Sequence, residues 1–345
     1  MRITLLTGCL LLLAFGLGEV GAQDPGSRTA DAEQVWKREM RRAQREAVRG
    51  LMDSQRPRDL LLAALLYPLT LTDGVEVATL DQADAETVRL LARAAQQAPD
   101  DPLIAWAQAH CPPAQIAAGC DRDGGRERLV RLDPENGYVR LLWLSDLGPS
   151  EVELLGGALL GEAAQARRFD TYLNAVGQLF LDFFDSIEWP ATPQPAMTAE
   201  ALAVGYVAAI ATPAYEALSR ICLPGRTPPQ DAALRRDCVA VFERIAAWDG
   251  ASMADAQIAV SHLLRLSEGG PGENRWREEL RRLRWLQEQS LPIMAGPGFM
   301  AGPGAVHIRR WFRDGEVTAM RELLRENGVA ADPPPDWQPP ARPGP

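Results

Sequence analysis

The stretch LDPENGYVRLL, residues 132–142, decides how the chain is organised. It closes one apolar helical run with an aspartate-proline pair and opens the next run three residues later. A related stretch, APDDPLIAW at residues 98–106, places the same residue types between two further runs. Pro99 and Pro134 lie 35 residues apart. The chain is therefore punctuated at a regular interval by helix-breaking and helix-capping residues.

The second junction contains the residues that a helix start requires. Asp133 or Asn136 can cap the incoming helix, and Pro134 suits its first turn. The spacing of the prolines is close to the 34-residue period of tetratricopeptide (TPR) repeats. Residues 132–142 resemble the point at which one such repeat ends and the next begins. This resemblance covers residues 84 to about 170, and it implies a TPR-like α-solenoid of antiparallel helical hairpins with a surface for a protein or peptide partner.

The apolar periodicity extends the helical prediction to nearly the whole chain. Residues 30–52 form an amphipathic helix whose arginine-rich face we interpret as solvated, since Glu33 and Lys37 are spaced to pair; a basic docking surface is the alternative. Strand-like alternation occurs only around residues 75–80. Further helices are predicted at residues 58–67, 84–97, 102–110, 124–132, 136–147, 150–166, 169–187, 198–222, 231–248, 253–267, 273–289 and 305–327. We therefore predict an all-α fold with an N-terminal helix in residues 23–56 and a helical-repeat domain at 57–330.

The two ends of the chain differ from this pattern. Residues 1–22 have the charged, apolar and small-residue order of a secretory signal peptide, with cleavage after Ala22. A lipobox ending at Cys9 would instead give a lipoprotein, but it leaves too few apolar residues before the cut. We expect a periplasmic or secreted chain with no transmembrane segment after cleavage. The Pro-rich tail at 331–345 is predicted to be disordered, or else laid along the folded body through Trp337.

Four cysteines follow the predicted signal peptide, in two local pairs. In an oxidising compartment an even count of cysteines predicts disulfides, although four cysteines allow three pairings. Local pairing is favoured because prolines turn both intervening segments, and each bond would stabilise the fold by ~3 kcal/mol. The predicted pairs are Cys111 with Cys120 and Cys222 with Cys238.

Composition excludes several classes of function. The formal net charge of −10 argues against nonspecific binding to nucleic acid or to an anionic membrane. Lys37 is the only lysine, so a phosphate-binding loop of the ATPase type and Schiff-base chemistry are not supported. The glycine fingerprint at 296–301 lacks the strand that a dinucleotide-binding turn needs.

No residue set predicts a catalytic, cofactor-binding or metal-binding site. His110, His262 and His307 are too far apart in sequence for a common zinc motif. Of these, His262 fits a semi-buried position on a helix, and His307 fits a contact at a helix start. We therefore predict a non-catalytic exported helical-repeat protein, without cofactor, that binds an unknown protein, peptide or envelope component.

One acidic stripe supports an alternative hypothesis. Asp182, Asp185 and Glu188 recur every three residues beside aromatic side chains. Paired carboxylates near aromatic residues can cleave glycosides, which would make the protein a cell-envelope hydrolase with a dispersed site. That hypothesis predicts that the stripe converges with His262 or His307 in one deep pocket. A solvated edge beside a buried aromatic face explains the stripe without any chemistry.

Overall fold

The computed structural model describes residues 28–70, 78–191, 199–210, 215–296, 299 and 302–339. All regular secondary structure in these ranges is helical, which confirms the all-α class. None of the helices described is both long and apolar enough to cross a membrane. The predicted signal peptide at 1–22, with Cys9, lies outside the described residues. Residues 75–77 of the strand-like segment also lie outside the described residues, whereas residues 78–80 begin a helix.

The helices follow one another with short connections, and we number the α-helices in chain order. They are α1 (Arg28–Met52), α2 (Pro57–Thr70), α3 (Ala78–Gln97), α4 (Pro102–Ala109), α5 (Pro113–Ala117), α6 (Arg122–Leu132), α7 (Gly137–Leu141), α8 (Pro149–Gln165), α9 (Leu173–Asp185), α10 (Ala199–Ile210), α11 (Tyr215–Cys222), α12 (Ala232–Ala246), α13 (Met253–Leu266), α14 (Glu273–Met294), α15 (Pro303–Asp314) and α16 (Glu316–Glu326). Short 3-10 helices cover Leu142–Ser145 and Pro224–Arg226.

Side-chain caps explain why helices begin at the two related junctions. The Asp101 carboxylate accepts a hydrogen bond from the Leu103 amide at 2.9 Å, and Pro102 takes the first helical position of α4. At the second junction Asn136 is the cap, with its side-chain oxygen 3.1 Å from the Tyr138 amide. The helix starts at Gly137, so Pro134 lies in the preceding turn and not in the first turn as predicted.

Neighbouring helices contact each other through the first half of the chain. The main contacts join α1 to α2, α2 to α3, α4 to α6, and α7 to α8. The second half has such pairs too, including α12 with α13 and α15 with α16. It also has contacts between helices that are distant in sequence, since α15 packs on α9 and α10, and α12 packs on α8 of the first half. The C-terminal helices therefore cover the middle of the chain.

Two of the long predicted helices correspond to more than one described helix. The segment predicted at 198–222 contains α10 and α11, with residues 211–214 outside the described ranges. The segment predicted at 305–327 is broken into α15 and α16 at Gly315, which has a φ of +89°. A Cβ at Gly315 would overlap the main-chain carbonyl of Asp249, so only glycine fits this close approach.

A continuous apolar core runs through the described helices. Its largest fully buried side chains include Trp106, Phe180, Phe184 and Phe242. The four cysteines predicted to form disulfides are also buried. The structure pairs Cys111 with Cys120 and Cys222 with Cys238, which is the local pairing expected from the sequence.

The tail is laid along the folded body as far as residue 339, the second of the two predicted alternatives. Trp337 packs edge-on against Trp285 of α14, with ring centroids 5.2 Å apart. The Arg281 guanidinium donates to the Pro334 carbonyl at 2.8 Å, and Trp285 Nε1 donates to the Ala330 carbonyl at 2.8 Å. Residues 331–339 therefore differ from the predicted disorder of the tail. Two tryptophans and an arginine supply the partners that hold this part of the chain on the folded body.

Candidate functional site

A small cavity lies between α4, α6, α7 and α11, beside the second junction. Its volume is about 220 Å³. Apolar and aromatic side chains form most of the wall, and a few polar groups complete it. The lining residues are Ala109, His110, Cys111, Pro112, Pro113, Arg122, Arg126, Tyr138, Leu141, Leu142, Ser145, Asp146, Phe169, Tyr215 and Leu218.

Asn136 fixes the junction from which Tyr138 enters the cavity. The Asn136 side chain is completely buried, and its amide nitrogen donates to Asp133 at 3.0 Å and to the Asp170 carbonyl at 2.8 Å. Its amide oxygen accepts from the main-chain N–H groups of Tyr138 and Asp170, at 3.1 and 2.9 Å. All the polar capacity of the amide is used, so the start of α7 is locked to the loop that follows α8.

Asp133 completes this network from the end of α6. Its buried carboxylate accepts from Arg168 at 2.7 Å and from the Tyr172 hydroxyl. Tyr172 is the one non-glycine residue with positive φ among those the structure describes, at +65°. That conformation is uncommon for a bulky residue, and here the hydroxyl bond to Asp133 holds it in place.

His110 and Tyr138 form the polar pair at the base of the cavity. His110 Nδ1 lies 2.7 Å from the Trp106 carbonyl, so this nitrogen carries the proton. Nε2 is then an acceptor, and it receives the Tyr138 hydroxyl proton at 2.6 Å. Burial lowers the pKa of His110 to about 4 and raises the pKa of Tyr138 above its usual value. Both side chains are therefore uncharged at neutral pH.

Two arginines on α6 share one carboxylate at the side of the cavity. Asp146 accepts from Arg122 Nη1 at 3.0 Å and Nη2 at 2.8 Å, and it also pairs with Arg126 Nη1. The Arg126 side chain is only 4% exposed, and its guanidinium lies over the Trp143 ring. The Nε–H groups of both arginines are buried without a hydrogen-bond partner in the described part of the chain. The two arginines therefore have more N–H donors than the Asp146 carboxylate accepts.

Tyr215 of α11 also lines the cavity. Its hydroxyl donates to Asp255 at 2.5 Å, and burial raises the pKa of Tyr215 well above its usual value. Asp255 lies behind this wall in the first turn of α13, where it also accepts from Ser252 Oγ at 2.7 Å. The carboxylate of Asp255 is therefore engaged and does not line the cavity.

Of the three histidines considered from the sequence, His110 alone lines this cavity. His262 Nε2 lies 2.8 Å from Ser219 Oγ, and its ring stacks on Phe242. His307 is buried beside Phe299, and burial lowers its pKa to about 4.

The acidic stripe lies elsewhere. The Asp185 carboxylate forms a two-pronged ion pair with Arg309, at 2.7 Å for both bonds, and Asp182 accepts from Gln178 at 2.8 Å. Asp182, Asp185 and Glu188 are exposed and none lines the cavity. The hydrolase hypothesis required the stripe to meet His262 or His307 in one deep pocket, and they do not meet in this cavity. Ion pairing with α15 accounts for Asp185, which joins the C-terminal helices to α9.

The remaining candidates carry no site in the described residues. No group of three or more histidine, cysteine or acidic side chains in these ranges could hold a metal ion. The glycine segment at 296–301 connects α14 to α15, and most of it lies outside the described residues.

A glycine pair beside Arg126 is the local sequence signal for the burial of this arginine. Arg126 follows Gly124 and Gly125 inside α6. A Cβ on Gly125 would lie 2.8 Å from the Ala109 amide nitrogen, so glycine lets α6 approach α4 closely. A glycine pair inside a helix marks such a contact, and here the contact buries the next side chain.

Comparison of the chain with protein-family models, with characterised proteins and with solved structures gives no match.

Proposed function

We propose that the protein is a non-catalytic, exported binding protein of TPR-like helical architecture, which recognises a protein or another envelope component through the cavity at His110 and Tyr138. The observation that carries this proposal is the cavity, in which apolar walls and a few fixed polar groups converge. Recognition sites commonly have this composition.

The chemistry of the lining favours binding over turnover. The free nitrogen of His110 already accepts from Tyr138, and a pKa of about 4 makes this histidine a weak base at neutral pH. Cys111 is held in a disulfide, and the Ser145 hydroxyl donates to the Leu142 carbonyl at 2.8 Å. No group in the lining is therefore prepared as a nucleophile with its own base.

Export is part of the proposal and is supported by two observations. The N-terminal 22 residues have the composition of a secretory signal, and the chain holds two disulfides. A partner would then be met outside the reducing cytosol.

The proposal can be tested by site-specific photo-cross-linking in cells. A benzoylphenylalanine would replace Pro113, which is exposed at the rim of the cavity, or Glu268, which is exposed and not part of the lining. We expect one dominant adduct at position 113 that is missing at position 268. Equal labelling at both positions, or no adduct at either, would contradict recognition through the cavity.

A second candidate, an envelope hydrolase, rests on the pair of Ser219 and His262. Since His262 Nδ1 donates to the Ile258 carbonyl at 2.8 Å, Nε2 can accept the Ser219 proton. The Ser219 hydroxyl also lies 2.7 Å from the Tyr215 carbonyl, and neither Ser219 nor His262 lines the cavity. A fluorophosphonate probe should therefore leave the wild-type protein unlabelled; labelling that Ser219→Ala abolishes would support the hydrolase.

A further inference from the structure

We infer that the cavity receives a carboxylate borne on a short apolar group, with the guanidinium groups of Arg122 and Arg126 binding the carboxylate. This inference deepens the proposed function and rests on it. It concerns the chemical class of the ligand, whereas the proposal above concerns only where a partner is recognised.

The charge of the lining supports an anionic ligand. Two guanidinium groups and the single carboxylate of Asp146 line the cavity, so its wall carries one net positive charge. The other titratable side chains of the lining, His110, Tyr138 and Tyr215, are uncharged at neutral pH. The exposed carboxylate of Asp123, which lies outside the lining, is also 3.6 Å from Arg126 Nη1, and solvent screens this pair.

The hydrogen bonds of the arginines support a carboxylate in particular. Arg126 is almost completely buried, yet its Nε–H has no partner and its Nη2 is 3.5 Å from Ser145 Oγ. A desolvated guanidinium with unused donors is unfavourable, because its lost bonds to water are not replaced. Guanidinium N–H groups form charge-assisted hydrogen bonds with carboxylates. Nε is enclosed by protein, so a bound carboxylate would accept from Arg126 Nη2, whose contact with Ser145 Oγ is long.

The volume of the cavity and its apolar wall define the rest of the ligand. A volume of about 220 Å³ corresponds to about seven water molecules, which is less than the usual site for a drug-sized molecule. Leu141, Leu142, Phe169 and Leu218 supply an apolar surface. The cavity therefore suits one aliphatic or aromatic group next to a carboxylate. A free small organic acid and the C-terminal residue of a polypeptide both have this chemistry.

The inference can be tested by calorimetric titration of the full chain with both disulfides formed. The first probes are N-acetyl-leucine, which ends in a charged carboxylate, and N-acetyl-leucinamide, which ends in a neutral carboxamide of similar size. We expect the acid to bind at least tenfold more tightly than the amide. Equal affinity for the two, or no binding of either, would overturn the inference.

A third probe distinguishes the two sources of the carboxylate. A peptide of four alanines ending in leucine carries the same terminal group on a longer chain. If the natural ligand is a polypeptide terminus, this peptide binds more tightly than N-acetyl-leucine. If it is a free acid, the peptide binds no better. Both results support a carboxylate site.

Variants on α6 locate the binding groups. Arg122→Gln removes one guanidinium from the more exposed side of the pair and should weaken binding of the acid at least tenfold. Arg126→Lys keeps the charge but loses the paired donors, and should weaken it similarly. Arg131→Gln is the matched control, because Arg131 is exposed on the same helix and does not line the cavity.

Circular dichroism melting would show that each variant is folded before titration. Unchanged affinity in folded Arg122→Gln and Arg126→Lys would place the acid elsewhere and refute the assignment. If cross-linking at position 113 still captured a partner in that case, only the carboxylate inference would fail, and the proposed binding function would stand.

Discussion

The two halves of the chain achieve stability by different routes. In residues 78–172, side chains at the junctions cap the next helix and bind the adjacent loop, as Asn136 does. In residues 173–339, helices distant in sequence contact each other, as when Arg309 of α15 joins Asp185 of α9 and Glu200 of α10. Junction residues can be recognised from the sequence, whereas the partners of a distant contact cannot.

The largest effect is expected from removing the buried amide at the second junction. Asn136→Ala leaves two main-chain N–H groups and one carbonyl buried without their partners, so we expect a loss of about 3 kcal/mol in the free energy of unfolding. Urea titration would measure it. Asp101→Ala, at the first junction, removes one cap and an exposed ion pair with Arg58, and should cost only about 1 kcal/mol. Equal losses would show that the junctions are equivalent.

The corresponding disruption of the C-terminal half is Gly315→Ala. The backbone there has a φ of +89°, and an added methyl group would overlap the Asp249 carbonyl, so we expect a loss of about 2 kcal/mol or more. Gly328→Ala is the control, since Gly328 has a φ of +70° but open space around it, and should cost about 1 kcal/mol. Thermal melting compares the two. A smaller loss for Gly315→Ala would mean that α15 and α16 can move apart from Asp249 freely.

The contact between α16 and α13 should depend on pH. The Glu316 carboxylate accepts from the Met253 amide at 2.7 Å, and burial, with a lesser contribution from Asp255, raises the pKa of Glu316 to about 7. The folded state therefore favours the protonated acid, and this stabilisation is complete below the unfolded pKa of about 4.5 and is lost as the pH rises through 7.

Glu316→Gln removes this titration while keeping an oxygen that can accept from Met253. Because the Glu316 side chain is partly exposed, we expect the variant to gain about 1 to 2 kcal/mol over the wild type between pH 4.5 and pH 8. Urea titrations of both proteins across this range would measure the difference in their free energies of unfolding. His110 and His307 are present in both proteins, so their opposite dependence on pH cancels in this difference. A difference that does not change with pH would contradict the raised pKa.

The smallest effect concerns the cavity in the first half. Tyr138→Phe removes the hydroxyl that His110 Nε2 accepts, and should cost about 1 kcal/mol in thermal melting because the imidazole nitrogen loses its donor. Burial lowers the pKa of His110 to about 4, so the histidine is neutral in wild type and variant at pH 7. A variant as stable as the wild type at pH 7 would show that water replaces the hydroxyl.

The sequence predicted the local features of the fold. The helical class, the positions of most helices and the local cysteine pairs follow from apolar periodicity, prolines and cysteine spacing. It did not predict that Gly315 would divide the last helix pair, because a single glycine is tolerated within many helices and only the nearby Asp249 carbonyl requires it here.

The candidate site was less predictable than the fold. His110 stood out as one of three histidines, but Arg122 and Arg126 belong to a chain with many arginines, most of which are solvated. Their importance comes from burial beside Asp146 and Tyr138, which are 12 or more residues further along the chain. Apart from the glycine pair at 124–125, local patterns carry no information on such an encounter, which the fold creates by placing α7 and the residues after it beside α6.

The disulfide of Cys111 adds a control over when the cavity can act. Cys111 lines the cavity next to His110, and its bond to Cys120 closes the segment that carries Pro112 and Pro113, two further wall residues. In a reducing compartment this segment would lack its covalent closure, so we expect the wall to be less constrained there. Under the proposed export, the wall would gain this closure only after the chain leaves the cytosol.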